Sequence, residues 1–228
     1  MAIRFRDRTV RIDSTLVLAD LHLGRAATSS VEAPVADGRD ILDRLDDIVT
    51  ESVPETVVLA GDVLHSFDTV PRGVTGRLEE ITDRIDKAGS ELIVVPGNHD
   101  TMLDSVWDGS TTEAYWIDEE TVVVHGHEHA DVEAHRYVIG HDHPTIEIQG
   151  QRHPCFLEGQ GGPDGTKLLV LPAFNRFTAG VPINGRNQAD FQSPLVVDAD
   201  ALQPVVRDAA TGETLRFPSL GTIRHRLS

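Results

Sequence analysis

Apolar positions follow two different periods along this chain. In the first hundred residues, short apolar runs alternate with amphipathic stretches. Residues 14–19, 56–60 and 92–95 read as buried strands. Between the first two, Ile41, Leu42, Leu45, Ile48 and Val49 recur at helical spacing and predict a helix over 37–52, preceded by an Ala-, Ser- and Thr-rich loop from Arg25 to Ala36. Val74, Leu78, Ile81, Ile85 and Ala88 predict a second helix that ends near Gly89. After residue 108 no strong helical period remains. Residues 121–124, 137–139, 145–148, 167–171 and 194–197 read as strands with short connections. The glycine cluster at 159–165 reads as a hairpin loop, because no helix follows it to make a phosphate cradle. Strand–helix units followed by a strand-rich half predict one α/β domain over residues 1–228, without a separate cap domain, in which two sheets pack face to face with helices outside.

Polar residues of one chemical kind follow these strands. Asp20 and His22 come after the first, Asp62 after the second, and Asn98, His99 and Asp100 after the third. His125 and His127 follow the run at 121–124, and His141 and His143 the run at 137–139. Ligands gather at the carboxyl ends of strands in α/β sheets, so these groups are expected on one rim. Residues two apart in extended chain point the same way, which lets Asp20 and His22, or His141 and His143, face one ion. Glycines beside Asp62, Asn98, His125 and His141 let the backbone approach closely. Imidazole, carboxylate and amide donors suit Mn²⁺, Fe or Zn²⁺ rather than a thiolate-preferring metal.

Composition narrows the setting. There are 37 acidic and 20 basic residues, net charge −17, and only Lys87 and Lys167 are lysines. Such a surface fits concentrated salt, where self-repulsion is screened, and points to a halophilic archaeal source. It argues against a broad electrostatic footprint for nucleic acid but leaves room for a local basic groove. The single cysteine, Cys155, excludes an internal disulfide and reads as a small buried hydrophobe. The charged N-terminus lacks a signal-peptide core, and no apolar run approaches bilayer length, so a cytoplasmic protein without membrane association is expected.

The five blocks Asp-x-His, Gly-Asp, Gly-Asn-His-Asp, His-Gly-His and Gly-His-x-His stand in order across residues 18–144, and in this they resemble the calcineurin-like metallophosphoesterase superfamily. More narrowly, Ala19-Asp20-Leu21-His22-Leu23-Gly24 and Leu171-Pro172-Ala173-Phe174-Asn175 are similar to archaeal SbcD-related and bacterial DNA ligase-associated phosphoesterases. Those relatives usually carry a glycine after Pro-Ala-Phe, where this chain has Asn175. The resemblance implies a four-layer sandwich of two mixed sheets with flanking helices. It implies two divalent ions, Mn²⁺ foremost with Fe, Zn²⁺ or Co²⁺ as alternatives. Asp20, His22 and His143 would bind the first and Asn98, His125 and His141 the second, with Asp62 bridging. His125, nearer the strand end, fits the ligand position better than His127. His99 would sit beside the reacting phosphate, oriented by Asp100. Two ions about 3.5–4 Å apart can share and acidify a water, whose hydroxide attacks phosphorus in line.

The resemblance points to a phosphodiesterase: a nuclease, or an enzyme acting on nucleotides, with DNA or nucleotide substrates and DNA-repair protein partners. The same metals would serve a phosphomonoesterase or a pyrophosphatase. A non-catalytic scaffold would have lost ligands that are intact here. Arg25, His65, His127, Asn175 and Arg176 are candidates for substrate contact. His129, His135, His153 and His225 read as surface residues, and Trp107, Tyr115 and Trp116 as core aromatics.

Overall fold

The computed structural model describes residues 2–25, 38–209 and 211–224. Most of the loop expected from Arg25 to Ala36, and His225, lie outside them. The first sheet holds β1 (Ile3–Arg6), β2 (Thr9–Ile12), β3 (Thr15–Leu18), β4 (Thr56–Ala60) and β5 (Glu91–Val95), in that order. Its first three strands are antiparallel neighbours, and β3, β4 and β5 run parallel. Parallel neighbours need crossovers, supplied by α1 (Arg39–Ser52) and α2 (Val74–Lys87).

The second sheet is built from β6 (Tyr115–Trp116), β7 (Thr121–Val123), β8 (Arg136–Ile139), β9 (Pro144–Ile148), β10 (Gln151–Gly159), β11 (Lys167–Val170) and β12 (Val181–Pro182). Its order is β12-β9-β10-β11-β8-β7-β6. To these are added β13 (Leu202–Arg207) beside β10 and β14 (Thr214–Arg216) beside β13. The centre, β7-β8-β11, is parallel and the rest antiparallel, except where β12 joins β9.

Alternation along each strand assigns the layers. On β3, Leu16 and Leu18 face one way and meet Ile41, Leu45 and Ile48 of α1 and Leu78, Ile81 and Ile85 of α2 in one buried cluster. Val17 and Ala19 face the other way and join Val58, Ala60, Val123, Val138, Phe156 and Leu169 between the sheets. The second sheet's outer face, with Tyr137, Ile139, Leu157 and Leu168, is covered by loop residues Leu195 and Val196 and by the short helix α3 (Leu220–Ile223). Cys155 is buried in that layer. Among the described residues no helix is long and apolar enough to cross a membrane.

Both predicted helices and most predicted strands appear. The exception is 194–197, which turns instead of extending: the amides of Val197 and Asp198 both donate to Gly161 O, and Leu195 and Val196 are buried without a strand partner. The apolar pattern does not predict the β1–β2 hairpin or the long β10. Trp107 packs at the margin of the helix-side core, whereas Trp116 is exposed on a two-residue edge strand.

Candidate metal centre and active site

The parallel strands of both sheets end at one edge, and their C-terminal loops meet there. Past β3 and β4 the chains continue side by side: Asp20 N donates to Gly61 O at 3.0 Å, His22 N to Asp62 O at 2.8 Å and Leu23 N to Val63 O at 2.8 Å. From the other sheet, Gly140 N donates to His125 O at 3.1 Å. The loop after β11 closes the rim, with Phe174 N donating to Ala19 O at 2.8 Å.

Five of the predicted ligands, Asp20, His22, Asp62, His141 and His143, have left-handed backbone, with φ of 60°, 44°, 50°, 67° and 44°. That conformation costs a non-glycine residue about 1 kcal/mol or more. It turns the side chains inward at strand ends. Close approach depends also on absent side chains. A Cβ on Gly140 would stand 2.7 Å from both Ala19 Cβ and Asp20 Oδ2, and one on Gly61 or Gly97 would overlap His125 or the Asp62 carboxylate.

Two groups of donor atoms result, each with all members within 4.8 Å of one another: Asp20, His22, Asp62 and His143, and Asp62, His125 and His141. Asp62 belongs to both. Asn98 joins the second group through Oδ1, 3.3 Å from His125 Nε2. His125 Nδ1 is held by Ala60 O at 3.0 Å, which leaves Nε2, 3.4 Å from Asp62 Oδ1, facing the centre. His127 is outside both groups and half-buried beside His125, with ring centroids 5.2 Å apart.

Electrostatics make this a site for cations. Asp20 and Asp62 are 0% and 2% exposed, and the ion-pair partners of both are imidazoles, not Lys or Arg. Burial pushes the Asp62 carboxyl up. Burial acts the same way on Asp20, but His143, 3.1 Å away, outweighs it and holds that carboxyl down, while His143 is raised in turn. Burial drives His22 down to about 3 and His141 to about 4, so both imidazoles are neutral with lone pairs available near pH 7. Two buried carboxylates among neutral imidazoles and an amide oxygen fit a pair of divalent ions.

His99 stands at the mouth. Its Nδ1 donates to His65 O at 2.8 Å, and its Nε2 is 3.9 Å from Asp62 Oδ2. The expected hydrogen bond from Asp100 to His99 is not formed. Asp100 instead accepts from Leu64 N at 2.8 Å, Gly97 N at 2.8 Å and Val63 N at 3.2 Å, pinning the Asp62 loop to the turn that carries His99. His22, His65 and His99 form a third donor group. Phe67, which no sequence motif marks, packs on His99 at 4.0 Å between ring centroids although it is 45% exposed.

Asn175 is buried, and its amide donates to Leu21 O at 2.8 Å and receives Phe177 N at 2.9 Å, so it staples the Asp20–His22 loop. Arg176 pairs with Asp40 at 3.1 Å, and Arg25 lies in a cleft beside His22. Sequence reasoning missed Arg8 and Arg44, which grip the Pro-Ala-Phe loop that carries Asn175. Arg8 donates to Ala173 O and Asn175 O at 3.0 Å each, and Arg44 to Phe174 O at 2.7 Å while stacking on the Phe174 ring. Arg44 did leave a signal, an arginine on the apolar stripe of α1. His129 and His135 are exposed.

A family model described as calcineurin-like phosphoesterase matches residues 14–131, more than half of the chain. Among curated proteins, a subunit of the SbcCD nuclease of Bacillus subtilis (strain 168) is 34% identical over 85 residues, 36% of this chain and 20% of that protein. The chain thus matches about a fifth of the length of that relative. The crystal structure of Pseudomonas putida nuclease MPE shares the fold, with a TM-score of 0.62 at 24% identity over 92% of each chain.

Proposed function

The chain belongs to the calcineurin-like phosphoesterase family, hydrolases of phosphate esters, and from that premise we propose that it is a dinuclear phosphodiesterase acting on nucleic acid or nucleotides. The observation that carries the reading is Asp62, shared by two donor groups that otherwise have no member in common. Asp20, His22 and His143 would hold one ion, Asn98, His125 and His141 the other, and Asp62 both. The mixed imidazole, carboxylate and amide donors suit Mn²⁺, Fe or Zn²⁺, of which manganese is the ion proposed. When bound, the ions supply Lewis acidity toward phosphate oxygens and lower the pKa of a water nucleophile.

The chain's own residues do the rest. The buried carboxylates and neutral imidazoles fix the donor atoms before substrate arrives, so little reorganisation accompanies reaction. His99, with Nδ1 committed to His65 O, has Nε2 free to exchange a proton with the leaving oxygen. Asp100 acts on that step through the backbone, by holding the turn that carries His99. The diester preference draws support from the nuclease subunit matched over 36% of the chain.

The test is Mn²⁺-dependent turnover of bis-p-nitrophenyl phosphate against p-nitrophenyl phosphate. The diester should be preferred, and preference for the monoester would overturn the assignment. His99→Ala should lower turnover by about 10²–10⁴-fold with metal content unchanged. Wild-type turnover in that variant would remove His99 from the mechanism.

A further inference from the structure

Beside the metal loops, on the helix side of the first sheet, lies a cleft that opens to solvent. Three arginines line it, Arg25, Arg72 and Arg77. Two 14-residue helices begin there. Gly38 is the N-cap of α1 and Gly73 that of α2, and neither end has a side-chain cap. The Arg77 side chain crosses Gly38 so closely that a Cβ there would be 3.1 Å from its Nε. Backbone amides, two positive helix ends and three guanidinium groups therefore converge on one space.

Two acidic groups near the cleft, among the described residues, are already engaged. Asp40 also lines the cleft, but its oxygens are taken by Arg44 and Arg176, each at 3.1 Å, and Glu80 pairs with Arg77 at 2.6 Å. Arg72 is exposed and makes no ion pair among the described residues. The cleft also adjoins the metal centre. His22, a member of the Asp20–Asp62–His143 group, is 3% exposed, lines the cleft, and has an Nδ1 without a hydrogen-bond partner among the described residues. The charge of Arg25 reaches His65 at the mouth and helps lower its pKa, after burial.

We propose that this arginine-lined cleft binds a second phosphate group of the substrate, one next to the phosphate being hydrolysed. Guanidinium groups recognise phosphate through paired charge-assisted hydrogen bonds, and helix N-termini add backbone donors. A substrate with one phosphate fills only the metal centre, and one with two also fills the cleft. The proposal rests on the phosphoesterase reading for the position of the first phosphate. It explains how a chain of net charge −17 can still hold a polyanion, through a local patch of its arginines.

The test compares thymidine 5′-monophosphate with thymidine 3′,5′-bisphosphate as inhibitors of bis-p-nitrophenyl phosphate turnover by the Mn²⁺-loaded enzyme. The bisphosphate should inhibit at roughly tenfold lower concentration or better, a gain typical of a hydrogen bond to a charged group. Arg72→Ala should shrink the ratio between the two inhibitors, and Arg72→Glu should bring it to one or below. Equal inhibition by both in the wild type, or a ratio that survives Arg72→Glu combined with Arg77→Ala, would overturn the proposal. If the wild type turned over no diester, the phosphoesterase reading would fall instead. Calorimetric titration of both nucleotides into the same Mn²⁺-loaded protein would then still give the ratio and decide the cleft by itself.

Discussion

Replacing Gly140 by alanine adds one methyl group in a tight part of the rim, between the two metal loops. Gly140 has no positive φ, so the backbone itself accepts alanine. The obstacle is space. The new Cβ would lie 2.7 Å from Ala19 Cβ, 2.7 Å from Asp20 Oδ2 and 3.1 Å from Ala60 O, where ordinary contact begins at 3.4 Å. It is short by about 0.7 Å against the first two. Ala19 and Ala60 sit at the ends of β3 and β4, so the Gly140 loop must move, carrying His141 and His143. Overpacking of this kind costs about 1–3 kcal/mol. For a chain of this size that lowers Tm by roughly 2–12 °C. A displacement above about 0.5 Å exceeds what a metal constellation tolerates, so Mn²⁺ affinity should fall about 10–100-fold. Thermal unfolding in chelator and calorimetric titration with Mn²⁺ read the two effects. Gly76→Ala is the control: in α2, with nothing within 4 Å of its Cβ, it should stabilise by about 1 kcal/mol and leave metal binding alone. If Gly140→Ala kept both its melting temperature and its Mn²⁺ affinity, the close approach of these loops would be wrong.

Arg44→Ala should destabilise by about 3 kcal/mol in urea, because it strands the Asp7 carboxylate and the Phe174 carbonyl; the low end of the range applies because the Asp7 side chain remains 23% exposed and Asp40 keeps Arg176. A loss below about 1 kcal/mol would show that the clasp on the Pro-Ala-Phe loop is dispensable. Cys155, fully buried with its thiol pushed up by burial, should react with a thiol reagent only at the rate of unfolding, and prompt labelling of folded protein would contradict its placement. Raising NaCl from 0.1 M to 1 M shortens the screening length from about 10 to about 3 Å, so Tm should rise in this chain of net charge −17; a flat or falling Tm would remove the salt-adapted reading of the surface.

The first half of the fold was legible because each signal there is local. Apolar spacing on α1 and α2 reports burial directly, and the runs of β3, β4 and β5 are continuous because both faces are covered. The donor residues that meet at the rim were visible in the sequence because each sits a few residues past such a run. The strand-rich half was harder. The segment 194–197 has the composition of a strand, but Leu195 N and Val196 N turn back onto Ser193, and Val197 N donates to Gly161 O, a partner more than thirty residues away in the chain. Pro154 obscured β10, which tolerates it where pairing passes from β9 to β11 and β13. The roles of Asp100 and Asn175 were hidden for another reason. Both residue types suit direct contact with ligand or histidine, and only the loop paths show that their partners are backbone amides and carbonyls.

The proposed chemistry depends on Asp62 gripping two ions at once. A crystal grown with Mn²⁺, measured at the manganese absorption edge, should show two anomalous peaks about 3.5–4 Å apart, with the Asp62 carboxylate touching both. A single peak, or peaks beyond the reach of Asp62, would contradict it.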